Sequence, residues 1–175
     1  MDDIQFLIDL QQELKTQVHD CQAAPRYWAL MDYKWTPTEE GYHDKVSLFF
    51  INDCEAKDFE EYVDDLLKNN SDKEFTEEQT AELEELQEFE SVDDVLKWIK
   101  ENVDNDCYLV HEKEESFIVP NTMFLTKEEA KNHIKMNQHH YTSKVHTYAM
   151  TAWRAPKVER LLKILETFDW NKFTA

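Results

Sequence analysis

The chain has 175 residues, 38 of them Asp or Glu against 19 Lys or Arg, for a formal charge of −19. A hydrophobic fraction of 41% with 13% aromatics excludes a disordered polyelectrolyte and is enough for a folded domain with a real core. The single glycine, Gly41, excludes a glycine-rich phosphate loop and a dinucleotide fingerprint, and no apolar run approaches the length of a membrane span.

Ile4, Leu7, Ile8, Leu14 and Val18 recur at helical spacing and predict an amphipathic helix over 2–20. Acid in "MDDIQFLIDL" stands where a signal peptide carries base, so a secreted chain is not expected. In 26–35, "RYWALMDYKW", Tyr27, Ala29, Met31, Tyr33 and Trp35 share one parity, as in a strand. Pro37 and Gly41 mark a turn, and "KVSLFFI" over 45–51 reads as a second strand, closing an antiparallel hairpin with the first. Phe59, Val63, Leu66 and Leu67 define a helix ending near "NNSD". Thr76 with Gln79 makes a capping-box pattern, and Leu83, Leu86 and Phe89 carry the helix onward. Ser91, Val92, Val95, Leu96 and Ile99 mark a third helix, ending near Asn102.

Residues 107–112 and 116–119 read as a second hairpin. Thr126 with Glu129 opens a helix to about Asn137, 144–153 fits a strand, and Pro156 stands near the first position of a last helix bearing Val158, Leu161, Leu162 and Leu165. The expected fold class is α+β: a small antiparallel sheet of about five strands flanked by helices. The expected organisation is a single domain over 1–175, with an acidic helical insert at 52–106 and a mildly basic C-terminal part at 120–175.

Charge is uneven along the chain. Residues 52–106 hold 21 acidic and 5 basic side chains, whereas 120–175 hold 5 acidic and 9 basic. The stretch 74–94 has ten carboxylates in 21 residues and no Lys or Arg. It reads either as a solvated helix face or as a mimic of a polyanion. A helix of that length spans about 30 Å. Its carboxylates approach the density of a nucleic-acid strand, about one phosphate per 3.4 Å. The candidate partner-binding residues are Asp64, Asp65, Glu77, Glu78, Glu82, Glu84, Glu85, Glu88, Asp93 and Asp94. The expected partner is a basic nucleic-acid-binding protein. Free DNA and anionic membrane are repelled at long range.

Three other groups bear on function. Asp53, Glu55 and Asp58 follow a strand, as magnesium-binding carboxylates of a nuclease do, and equally suit the acidic start of a helix. His133, His139, His140 and His146 fall within 14 residues but lack a ligand spacing such as HExxH, so no metal or other cofactor is expected. Tyr148, Trp153 and Arg154 have the composition of an interface hot spot or of a packed strand-to-helix corner. Cys21, Cys54 and Cys107 are odd in number and form no CxxC, as in a reducing cytoplasm.

Residues 121–170 resemble the C-terminal segment of small acidic proteins carried by phages and mobile elements of Gram-positive bacteria. The similarity lies in "MFLTKEEAKNH", "HHY" and "HTYAMTAWRAPKVE", and covers about 50 of the 175 residues. The same genetic neighbourhood supplies anti-CRISPR proteins, including inhibitors of Cas9 from type II-A systems. The resemblance implies a non-enzymatic inhibitor in the host bacterial cytoplasm that binds Cas9 or its guide RNA complex and blocks guide RNA or DNA binding. Two alternatives stay open: a metal-dependent ribonuclease-like factor truncating guide RNA through Asp53, Glu55 and Asp58, or an unrelated phage accessory adaptor. Anti-CRISPR families share no common motif, so the resemblance assigns no residue a role.

Overall fold

A computed structural model describes residues 2–18, 22, 24–68, 75–88 and 91–173. In chain order these form α1 (Asp3–Thr16), β1 (Arg26–Pro37), β2 (Lys45–Phe50), β3 (Glu55–Asp58), α2 (Phe59–Lys68), α3 (Glu77–Glu88), α4 (Val92–Asn102), β4 (Cys107–Ile118), α5 (Lys127–Met136), β5 (His146–Thr151) and α6 (Pro156–Thr167). The fold is α+β, with one five-stranded sheet of order β3-β2-β4-β1-β5 among the described residues. The ladders of β2 with β3, β2 with β4 and β1 with β5 are antiparallel. No helix is long and apolar enough to cross a membrane, among the described residues.

Two expected hairpins do not form. β1 and β2 are not neighbours, because β4 lies between them. The turn marked by Pro37 and Gly41 reverses the chain, but both its ends bond to β4: Thr38 donates to the His111 carbonyl and Asp44 to that of Glu112, each at 2.8 Å. Gly41 supplies the left-handed backbone there, at φ 85°. The second expected hairpin, 107–112 with 116–119, is one continuous strand, β4. Its polar middle is kept extended by cross-strand partners: Lys45 pairs with Glu112 at 3.4 Å, and the Glu114 amide donates to Asp44. β3 was not anticipated, since "EAKD" has no β-branched or aromatic residue and is a strand only through pairing with β2.

The chain divides into two compact units, Met1–Lys34 with Ser116–Ala175, and Trp35–Glu115. In the first, Trp28, Leu30 and Asp32 of β1 are buried. That is the opposite parity to Tyr27, Met31 and Tyr33, which are half-buried, although Ala29, of their parity, is buried as well. Trp28 and Leu30 pack with Ala130 of α5. α5 starts at the expected cap, where the Thr126 hydroxyl accepts from the Glu129 amide at 3.2 Å. Leu14 of α1 packs with Leu162 and Leu165 of α6, and Gln11 donates to the carbonyls of Leu165 and Phe168. Leu161, expected on the apolar stripe of α6, is exposed instead.

In the second unit, Leu48 and Phe50 of β2 and Cys107 of β4 share a core with Phe59 and Val63 of α2, Leu83 of α3, and Val95, Trp98 and Ile99 of α4. α3 packs against both α2 and α4. The cap predicted at Thr76 is present in both directions: the Thr76 amide donates to Gln79 Oε1 at 2.9 Å, and the Gln79 amide to Thr76 Oγ1 at 3.2 Å. Gln79 also ties α3 to the end of α4, donating to Asn102 Oδ1 at 2.7 Å. "NNSD" and Phe89, named above as a helix end and a stripe residue, lie outside the described residues.

Candidate acidic interface

The unit boundary separates charge. The first unit holds 12 basic and 11 acidic side chains, a net +1; the second holds 7 basic and 27 acidic, a net −20. The excess negative charge of the chain therefore belongs to one compact body.

Within that body α3 is the densest element. Leu83 is its only buried residue, and Gln79, Thr80 and Leu86 are half-buried beside it. At about 100° per residue this inward stripe leaves the rest of the helix to solvent. Glu78, Glu82 and Glu85 form one row along an outer flank, and Glu77, Glu84 and Glu88 a second row along the other. All six are exposed, and among the described residues none is in an ion pair. Twelve residues span about 18 Å, so the two rows together present about one carboxylate per 3 Å. That matches the linear density of a single nucleic-acid strand.

The other four candidate residues sit on the helices that pack against α3. Asp65 is exposed on α2. Asp64 is already engaged, accepting from Lys68 Nζ at 2.8 Å and from Gln87 Nε2 of α3 at 3.0 Å. These bonds, the Lys68 one first, hold its carboxyl below the ordinary carboxylate range. Asp93 and Asp94 lie in the first turn of α4, where a helix N-terminus favours negative charge. The Ser91 hydroxyl donates to Asp94 Oδ2.

The remaining sequence candidates fall elsewhere. Asp53 is in the turn after β2, Glu55 pairs with Lys57 at 3.5 Å, and Asp58 accepts from the Glu61 amide at 3.2 Å at the start of α2. Asp58 thus does capping work. His133 bonds the Tyr141 hydroxyl at 3.0 Å, His139 lies against His140, and His146 Nδ1 is 3.0 Å from the Lys144 carbonyl. Among the described residues no three His, Cys, Asp or Glu side chains are placed to hold a metal ion. Trp153 is 78% exposed, and its ring carries the Arg154 guanidinium at 5.4 Å. It therefore sits outside the core.

Sequence reading missed a groove of about 600 Å3 between α2, α3 and α4. Glu60 and Glu61, exposed in the first turn of α2, stand on its rim. Their only sequence signal was their place just after an acidic turn, which marks a helix start as readily as a binding rim.

Comparison with family models, with curated proteins and with solved structures finds no match to this chain.

Proposed function

We propose that this chain is a binding protein whose acidic unit occupies a Lys/Arg-rich groove of a nucleic-acid-binding effector and displaces the strand that the groove normally holds. The observation that carries the reading is the double row of six exposed glutamates on α3, in no ion pair among the described residues. Beyond Glu77 and Glu78 in its first turn, the helix gains nothing for its own stability from such rows, because like charges three and four residues apart oppose it. A cationic groove gains from them the same counterion release that it gains from phosphates. The concentration of charge in one unit, −20 against +1, supports docking through that unit.

The resemblance of residues 121–170 to phage and mobile-element proteins supports taking the effector to be a Cas9 nuclease or its guide RNA complex, met in the host bacterial cytoplasm. The chain acts there as an anti-CRISPR inhibitor that blocks guide RNA or target DNA binding. The test is competition: Cas9 incubated first with the chain should fail to retain labelled guide RNA or target DNA. The variant Glu78→Lys/Glu82→Lys/Glu85→Lys/Glu88→Lys should restore retention while keeping its helical circular-dichroism spectrum. Unchanged nucleic-acid binding in the presence of excess wild-type chain would sink the reading.

A further inference from the structure

We propose that the groove between α2, α3 and α4 is an anchoring slot for an amphipathic basic helix of the protein partner, with apolar side chains on its floor and arginines or lysines at its rim. The inference rests on the proposed docking through the acidic unit and gives that docking an address. The floor is apolar: Phe59 and Val63 of α2, Leu86 of α3, and Val92 and Val95 of α4. Leu86 and Val92 are half-buried, so apolar surface remains open to an incoming side chain. The rim is acidic along α2, where Glu60, Glu61 and Asp64 line the groove; Gln87 of α3 and Ser91 line it too, Gln87 donating to Asp64 Oδ1 at 3.0 Å.

This combination selects a particular partner chemistry. A bare polyanion-binding surface needs only cations. A slot with an apolar floor and a carboxylate rim fits a helix whose leucines or long aliphatic stems enter the floor while its cationic heads reach the rim. Lys68, bonded to Asp64 at 2.8 Å, shows the rim already accepting an ammonium from this chain. A partner arginine at that place competes with Lys68 and, being planar and bidentate, competes well.

The test uses two synthetic helical peptides of equal length and equal arginine content. One carries leucines at i, i+4 and i+7; in the other those leucines are serines. Each is titrated against the full chain at low salt and at about 0.5 M salt, where exposed charge pairs are largely screened. The leucine peptide should bind about tenfold or more tightly and keep most of that advantage in high salt. Glu60→Lys with Glu61→Lys, both at exposed positions, should weaken it more than Glu78→Lys with Glu85→Lys, a change of equal charge away from the groove. Lys68→Gln should tighten binding by removing the competing ammonium from Asp64 Oδ2, while Gln87 keeps Oδ1. Leu86→Ser should bring the leucine peptide down to the affinity of its serine counterpart. Equal affinity of the two peptides at both salts overturns the slot and leaves the charge-driven docking standing. No binding of either peptide at low salt overturns both.

Discussion

Leu83 is the residue on which the acidic surface depends, and Leu83→Ala removes its hold on the core. The side chain is 1% exposed, so truncation forfeits full burial and leaves a cavity. Together these cost about 3–4 kcal/mol. Besides Leu83, the helix is held to its neighbours by half-buried Leu86 and by the bonds of Gln79 to Asn102 and of Gln87 to Asp64. Glu78 with Glu82 and Glu84 with Glu88 are four residues apart; Glu82 with Glu85 and Glu85 with Glu88 are three apart. At about 0.2–0.5 kcal/mol each, these four pairs oppose α3 by roughly 1–2 kcal/mol at low salt. The Thr76–Gln79 box and the favourable place of Glu77 and Glu78 at the N-terminus return only about the same amount. Native-state amide exchange on the full chain reads the outcome directly. Amides of α3 should lose protection by about two to three orders of magnitude, at a factor of ten per 1.4 kcal/mol, while those of α6 in the other unit keep theirs. Full protection of α3 in the variant would refute the reasoning, because the helix would then be held by something other than Leu83.

Further outcomes follow from other buried groups. Burial raises the Asp32 carboxyl, but bonds from the Thr142 hydroxyl and amide and from the Tyr33 amide, with His146 nearby, outweigh it and set the carboxyl below its ordinary value. Its contribution to stability is therefore complete above the unfolded value of about 3.9 and is lost as pH falls through the lowered folded value. Asp32→Asn should cost about 1–3 kcal/mol near pH 7 and flatten the acid limb of thermal stability, as followed by circular dichroism; an unchanged acid limb would contradict this. Cys107 is buried in the core and Cys54 is exposed. Burial pushes the Cys107 thiol up, Lys100 pulls it back, and Asp104 and Asp106 push it up further. In a Cys21→Ser chain a thiol reagent should label one cysteine rapidly and the second only on unfolding, and two rapid thiols would place Cys107 outside the core. Gly41→Ala should cost about 1 kcal/mol in calorimetry through backbone strain alone, because φ is 85° and nothing lies within 4 Å of the added methyl group.

What the sequence made legible was mostly local. The starts of α3 and α5 were readable because a side chain three residues on completes each cap, at Gln79 and Glu129. α6 opened at Pro156 for a similarly local reason. Strand pairing was not legible, because it is decided between residues far apart in the chain. β2 pairs Leu48 with Leu109 and Phe50 with Cys107, about 60 residues away, in preference to β1, the strand before it in sequence. The face of β1 was ambiguous for a different reason. Both parities carry aromatic or aliphatic residues, Ala29 is buried on the one and Trp28 and Leu30 on the other, and the latter includes Asp32, a polar residue held by bonds from the distant Thr142. The acidic residues could be assigned to helices from their apolar spacing. The groove could not be seen, because Val63, Leu86 and Val92 come together only once three helices pack.

The most direct measurement is the affinity of the full chain for purified Cas9 as a function of salt, for the wild type and for the variant with Glu78, Glu82, Glu85 and Glu88 changed to Lys. The logarithm of affinity should fall linearly with the logarithm of salt concentration in the wild type, and the fourfold variant should bind weakly with a much shallower slope. Tight binding that ignores both salt and the reversal of those four charges would contradict the claim that the glutamate rows of α3 stand in for a nucleic-acid strand.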